Sequence, residues 1–527
     1  MSFRPRSSFP QMHFFINMLQ FEDFTKIPEG AIALGQKGLY MNGKIIGPVP
    51  MIEFESYEDY AKAKEDYFRR KEISLELNRD AYKKSAQLEC YRLAKLLATK
   101  SDIRTTDEKI REIYIYKDGL YVPAENILGA KIQEIFQELS SAKLKREMLD
   151  KIKDFTLIKR GDFNPDANFI NLENGVYDIK NRKLIPHSPE YLFLTKIPVK
   201  FDPSADCLKI KEFLKEILDP SSVRVIQEWA GYCLYRKYFI KKAMIFFGER
   251  DTGKTTLLRL LSKFIGEKNI SGVSLQRIGT DKFATSQLYA KHINVYDDLS
   301  AKDVNDNGVF KIATGGGEIT GEYKYGNQFQ FYNHSKLTFA CNTIPNVSDT
   351  NDEAYFNRWI VICFSKQIAN PNPFLFDELT TEFELSGFLN FALDGLFWIL
   401  EKRSFSYQKD PDEIKAEMLK SSSPIANFAY DLLERGENED WISKQDLYSA
   451  FTDYARNNDL PIAPINDFGK KIQKYASYMG NSKKGADTGW RNVRLKNATN
   501  QGEESSFEAL TSKPERLPDS SDIQPIL

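Results

Sequence analysis

Cysteine is scarce in this sequence and never clustered. Five are spread over 527 residues, at Cys90, Cys207, Cys233, Cys341 and Cys363, an odd number without a CxxC pair. That pattern argues against a disulfide framework or a zinc site and points to reduced thiols. Histidine is scarcer still: His13, His187, His292 and His334 are dispersed, so no metal cluster is expected. Net charge is almost absent, with 73 basic residues against 74 acidic ones. Any basic surface for a nucleic-acid partner must therefore be local. Long apolar runs are missing as well. The nearest, "GFLNFALDGLFWIL" at 387–400, is interrupted by Asn390 and Asp394. It falls short of the ~20 residues of a membrane span and is expected to be a core helix. Near the N-terminus Pro5, Pro10, Gln11 and His13 spoil a secretory apolar core. A soluble, cytoplasmic protein with no membrane partner is the expectation.

What is present suggests several domains, roughly two to four for this length. Residues 1–75 have no assignable role. They carry one hairpin signal, Asn42-Gly43 inside "LYMNGKII", and a charged helix at 56–72. From 76 to 204 a mixed α and β domain is expected. It has a periodic helix over 80–100, a second hairpin around Asp118-Gly119, two helices in 125–155 and alternating short strands over 169–186. From 205 to 405 short apolar runs alternate with helices, the pattern of an α/β domain with a largely parallel sheet. Residues 420–496 read as helices followed by a basic, glycine-containing ribbon. The tail, 497–527, is rich in Ser, Glu, Asp and Pro and is expected to be disordered.

The chemistry concentrates in the α/β domain. "GERDTGKT" (248–255) fits G-x-x-x-x-G-K-[ST] between the apolar strand "AMIFF" and an amphipathic helix. In such a loop Gly248, Glu249, Arg250, Asp251, Thr252 and Gly253 turn backbone N–H groups toward phosphates. Lys254 reaches the β and γ phosphates, Thr255 offers its hydroxyl to Mg²⁺, and Thr256 opens the helix whose positive end faces the anion. ATP and Mg²⁺ are the expected cofactors. Some forty residues on, "INVYDD" ends a strand in Asp297 and Asp298. Such a strand is expected beside the loop strand, with Asp297 serving the Mg²⁺ and Asp298 orienting water. "KLTFACNTIP" ends in Asn342, alone an ordinary turn residue. Arg358 opens "RWIVICF", alone an ordinary surface cation; in this company it could neutralise transition-state charge. The bulky charges Glu249, Arg250 and Asp251 inside the loop have no evident role.

Together these stretches resemble the superfamily 3 (AAA+) helicases, in the phage, plasmid and poxvirus primase-helicase group. "VSLQRIGTDKFATSQLYAKHINVYDDL" is similar to the family's lead-in to its acids. "FKIATGGGEITGEYKYGNQFQF" is similar to its B-prime motif, "LTFACNTIP" to its motif C and "AYFNRWIVICF" to its arginine-finger strand. The Asp-Asp ending is less diagnostic than the Asp-Glu or Glu-Glu of some relatives. The resemblance implies a ring, usually a hexamer, that moves 3′ to 5′ on single-stranded DNA in replication of a virus, plasmid or integrated element. In such a ring Asn342 is a sensor and Arg358 serves a neighbour's nucleotide. It places Lys324, flanked by Tyr323 and Tyr325, at a hairpin tip in the channel. It also makes 420–496 a winged helix. There Lys470, Lys471, Lys474, Lys483, Lys484, Arg491 and Arg494 are candidate DNA contacts.

A primase-polymerase domain needs clustered carboxylates for two-metal chemistry, and the first 200 residues hold no D-x-D. No primer synthesis is expected, and a separate primase and other replication proteins are the implied partners, beside forked DNA. Two other readings stay open on the residues alone. One is a P-loop ATPase that remodels protein or packages DNA. The other is an origin-binding initiator that uses ATP only for assembly.

Overall fold

The computed structural model describes residues 79–496, except 109, 138–139, 164–165, 302–303, 305, 325–327 and 348, together with four short strands nearer the N-terminus. Those four pair antiparallel, Ile32–Leu34 with Ile52–Phe54 and Leu39–Met41 with Lys44–Gly47. The helix expected at 56–72, the role of 1–75 and the expected disordered tail 497–527 lie outside the described residues.

The chain divides into two compact units. One holds the residues up to Asp298, then Asp306–Ala340 and Ile362–Gln408; the other holds Leu299–Asn305, Cys341–Val361 and the residues from Lys409 on.

In the first unit, helix Arg79–Lys100 and helices Glu125–Phe136 and Ala142–Phe155 cover a four-stranded sheet in the order Leu120–Pro123, Ile113–Lys117, Ile103–Thr106, Leu157–Ile158. The hairpin between the first two strands turns at Asp118 (φ 50°) and Gly119 (φ 90°), the paired left-handed residues that a tight hairpin requires. Leu93, Leu97, Ile103, Leu128, Ile132 and Ile152 fill the core beneath. A three-stranded antiparallel sheet follows, ordered Lys183–Ile185, Gly175–Asp178, Phe169–Leu172.

A five-stranded sheet comes next, in the order Ile270–Ser271, Ile293–Tyr296, Lys336–Cys341, Ala243–Gly248, Trp359–Phe364. Its first three strands are parallel, with Ile270 opposite Ile293 and Tyr296 opposite Phe339. Lys336–Cys341 is buried along its whole length, as a central strand covered on both faces must be. This order corrects one expectation. The strand bearing the acids does not lie beside the phosphate-loop strand, because Lys336–Cys341 runs between them. Sequential strands need not be neighbours when helices carry the chain across the sheet.

Helix Lys254–Ile265 packs Leu257, Leu258, Leu261 and Phe264 inward and ends at Gly266 (φ 90°). Helices Pro220–Leu234 and Glu382–Lys402 cross so closely that a Cβ on Gly231 would meet the backbone of Ala392 and Leu396, the latter N at 2.6 Å. Among the described residues Glu382–Lys402 is the one helix long and apolar enough to cross a membrane, and 61% of its apolar window is buried inside the protein.

In the second unit, helices Pro424–Leu432, Lys444–Asn457 and Ile465–Tyr475 close on Phe428, Leu447, Phe451, Phe468, Ile472 and Trp490. A three-stranded antiparallel sheet, ordered Trp441–Ser443, Asp487–Arg491, Gly480–Lys484, supplies the ribbon. The segment 341–361, read from sequence as part of 205–405, groups with this unit. Ser422 Oγ donates to Asn346 Oδ1 at 2.7 Å, and the Lys415 amine lies 5.9 Å from the centre of the Phe356 ring.

Candidate functional site

The loop between strand Ala243–Gly248 and helix Lys254–Ile265 is shaped by two glycines. Gly253 sits at the helix N-cap in the left-handed region (φ 88°), and no side chain caps the helix. First-turn N–H groups are thus left to another acceptor. A Cβ on Gly253 would come within 2.8 Å of Ile217 Cγ2, and one on Gly248 would strike the Phe364 carbonyl. Lys254 is buried and turned back across the loop, donating to the carbonyls of Gly248 (2.8 Å) and Glu249 and to Thr252 Oγ1 (3.3 Å). Thr252 Oγ1 in turn donates to the Glu249 carbonyl at 2.9 Å.

Two of the charged residues of the loop have partners beyond strand Trp359–Phe364, Glu249 through its side chain and Asp251 through its backbone. Gln367 Nε2 donates to Glu249 Oε2 at 3.1 Å, and the Ile368 N–H donates to the Asp251 carbonyl at 3.0 Å. Asp251 itself is left-handed (φ 60°), a conformation aspartate tolerates better than most residues. These bonds hold the loop from its outer side. No sequence signal reports them, because 118 residues separate Glu249 from Gln367. Arg250 is exposed, and Thr256 is half-buried in the first helical turn.

Thr255 and Asp297 meet: the threonine hydroxyl donates to Asp297 Oδ2 at 2.8 Å, although the strands that precede them, Ala243–Gly248 and Ile293–Tyr296, are not neighbours. Asp297 also accepts the Asp298 N–H through Oδ1 at 2.9 Å. Asp298 is left-handed (φ 56°), so the chain turns sharply there and both carboxylates stay exposed. This donor set suits a nucleotide with its divalent cation. A glycine-lined turn presents backbone N–H groups, a buried lysine lies within it, and a hydroxyl and a carboxylate are close enough to share one hard cation.

Asn342 and Arg358 belong to the other unit. Asn342 is exposed just past the end of strand Lys336–Cys341. Arg358 precedes strand Trp359–Phe364 and donates to the Ala354 carbonyl.

The stretch expected as a hairpin is one: Glu318–Glu322 pairs antiparallel with Gln328–Tyr332. Lys324 is exposed near its tip. Tyr325 lies outside the described residues. Tyr323 is less available than the sequence suggested, because its ring stacks on Phe329 at 4.7 Å and 26°. One of its faces is spent inside the protein.

Of the candidate DNA contacts in the C-terminal region, Lys470 and Lys471 are exposed on helix Ile465–Tyr475. Lys483, Lys484 and Arg491 are exposed on the antiparallel ribbon. Two others are engaged: Lys474 donates to the Val347 carbonyl at 2.8 Å, and Arg494 pairs with Glu434 at 2.5 Å.

Residues 91–219 match the family described as D5 N terminal like, and residues 246–358 match a family of unknown function, DUF5906. The second match runs from the loop strand to Arg358 and so holds the acids, the hairpin and Asn342. A protein of Acanthamoeba polyphaga mimivirus that bears the name "Putative helicase" is 23% identical over 361 residues, covering 63% of this chain. The chain spans 37% of that relative's length. Solved structures of the NrS-1 C-terminal region cover 77% of this chain and nearly all of their own, at TM-scores of 0.45 and 0.41 and identities of 16% and 14%.

Proposed function

We propose that this chain is an ATP-driven DNA helicase of superfamily 3, a ring-forming motor that travels 3′ to 5′ in the replication of a virus, plasmid or integrated element. The observation that carries the reading is the Thr255–Asp297 hydrogen bond at the mouth of the glycine-lined loop. It joins the two groups that hold a cation against a nucleotide's phosphates. The D5-like region and the viral relative named as a helicase direct that chemistry toward DNA.

ATP with Mg²⁺ would supply the free energy of phosphoryl transfer. The protein's own residues do the rest. Backbone N–H groups of 249–255 and the Lys254 amine bind phosphate oxygens, for which Lys254 leaves its loop carbonyls. Thr255 and Asp297 would hold the cation, and Asp298 would orient the attacking water. Asn342 reads the state of the nucleotide, and Arg358 completes the site of an adjacent subunit, so hydrolysis requires assembly. Lys324 grips the strand from the hairpin. Lys470, Lys471, Lys483, Lys484 and Arg491 engage duplex DNA through a winged-helix module. Primer synthesis falls to a separate primase.

The test is ATP turnover and strand displacement by the full chain. Single-stranded DNA should stimulate turnover, a forked duplex with a 3′ tail should be opened, and Lys254→Ala should abolish both. Unwinding that survives Lys254→Ala, or turnover indifferent to DNA, would overturn the reading.

A further inference from the structure

One cation outside the nucleotide site is buried where a packing residue would be expected. Arg160 is 9% exposed and belongs to the D5-like region. Its guanidinium is bidentate on Glu108, with Nε to Oε1 and Nη2 to Oε2 both at 2.6 Å, and Nη1 donates to Glu112 Oε2 at 3.2 Å. Tyr114 adds its hydroxyl to that same Glu112 oxygen at 2.6 Å. The other side of the guanidinium group faces aromatic rings: its carbon lies 5.3 Å from the centre of Tyr289 and 5.2 Å from that of Phe329.

Phe329 is in the hairpin. The two strands alternate strictly, with Ile319, Phe329 and Phe331 turned inward and Gln328, Gln330 and Tyr332 outward. Tyr289 packs edge-on against both Phe329 (5.4 Å) and Phe331 (5.5 Å), and Tyr323 covers Phe329 from the tip side. Gly321 lets the hairpin lie close to helix Lys282–Ser286, where a Cβ would come within 2.9 Å of Ser286 Cα. The inner face of the hairpin therefore rests on its own domain and, through Phe329, on Arg160.

A methionine could fill this space. Arginine does more: its flat fork is fixed by two carboxylates and presents one orientation to the rings. We propose that Arg160, held by Glu108 and Glu112, is a positioning residue that brackets the hairpin, at Phe329 close to its tip, to the D5-like region, so that load on Lys324 is borne by both. The coupling to DNA rests on the motor reading given above; the bracket itself does not.

Two readouts on the full chain separate these. Hydrogen exchange over Glu318–Tyr332 reads the bracket without DNA. In Arg160→Met it should rise about tenfold while helix Lys254–Ile265 keeps its protection. Strand displacement should fall about tenfold, with DNA-independent ATP turnover within about twofold of the parent. Arg160→Lys, which keeps the charge over the rings but not the fork, should recover part of both. Glu108→Gln keeps the shape and serves as the milder variant if Arg160→Met does not fold. Unchanged exchange in these variants overturns the bracket. Raised exchange with full unwinding overturns the coupling. A parent chain that never displaces a strand overturns the motor reading and the coupling with it, while exchange still decides the bracket.

Discussion

Thr255 donates its hydroxyl to Asp297 at 2.8 Å across 42 residues of chain and over an intervening strand. Thr255 lies in the first turn of the helix that follows strand Ala243–Gly248, and Asp297 directly follows strand Ile293–Tyr296. If the pair holds one cation, its members act as a unit. Thr255→Val and Asp297→Asn should each cut ATP turnover by about a hundredfold, and the double variant should be scarcely worse than either alone. Thr255→Ser should keep most activity and shift the Mg²⁺ titration only slightly. Additive losses in the double variant would show that the two residues serve separate purposes.

The two loop glycines should differ in what their replacement costs. Alanine at Gly253 meets a side-chain methyl, Ile217 Cγ2, which can rotate away, although the left-handed φ of 88° remains strained. Alanine at Gly248 meets the Phe364 carbonyl, part of the paired strand at the sheet's edge, which cannot move without breaking the ladder. Gly253→Ala should therefore destabilise by about 1–2 kcal/mol and Gly248→Ala by about 3 or more. Urea unfolding of both variants checks the order, and a reversed order would count against the clash argument.

Much of this was legible in the sequence because it is local. The hairpin at Asp118-Gly119 follows from two adjacent residues able to adopt positive φ. The loop and its helix follow from a pattern eight residues long, and the ribbon from its glycines. Strand order was not legible: the sequence suggested that the acid strand borders the loop strand, and nothing short-range says that Lys336–Cys341 enters between them. Glu249 looked unexplained because its side-chain partner Gln367 is distant in the chain. Tyr323 looked available for a base because its stacking partner Phe329 is set by the register of the hairpin, not by its composition. Arg160 carried no signal at all.

A buried histidine sets an acid limit on stability. His292 Nδ1 donates to the Cys233 carbonyl at 3.0 Å, which leaves Nε2 to accept from Thr195 Oγ1 at 2.9 Å, so the neutral ring is the one that fits. Burial, then the nearby Arg236 and Lys336 cations, hold its pKa down to about 3, against 6.5 in the unfolded chain. Between those values the unfolded chain binds a proton that the folded one refuses. Stability is thus complete above pH 6.5 and falls as pH drops toward 3, by up to about 1.4 kcal/mol per pH unit. His334, buried and shifted the same way, adds to the slope. His292→Gln, which cannot titrate, should lose roughly half of the dependence between pH 6.5 and 5 in urea melts. An unchanged slope would place the acid sensitivity elsewhere.

The lysines of helix Ile465–Tyr475 differ in their surroundings. Lys470 and Lys471 are exposed, whereas the Lys474 amine donates to the Val347 carbonyl. Two further bonds hold the same segment: Tyr475 Oη to Asn346 Oδ1 at 3.3 Å, and Thr350 Oγ1 to the Lys474 carbonyl at 3.4 Å. An exposed lysine that contacts phosphate contributes one released counterion, and its loss lowers the dependence of affinity on salt by about one unit of slope. A lysine that caps a carbonyl contributes to folding instead. Lys470→Ala and Lys471→Ala should each weaken duplex binding and flatten the salt dependence by about one unit, without lowering the unfolding midpoint. Lys474→Ala should do the opposite, losing about 1 kcal/mol or more of stability while the salt slope stays near that of the parent. Fluorescence anisotropy across a salt series, paired with urea melts, separates the two. A Lys474→Ala variant with normal stability and a flatter slope would return that residue to the DNA-binding set.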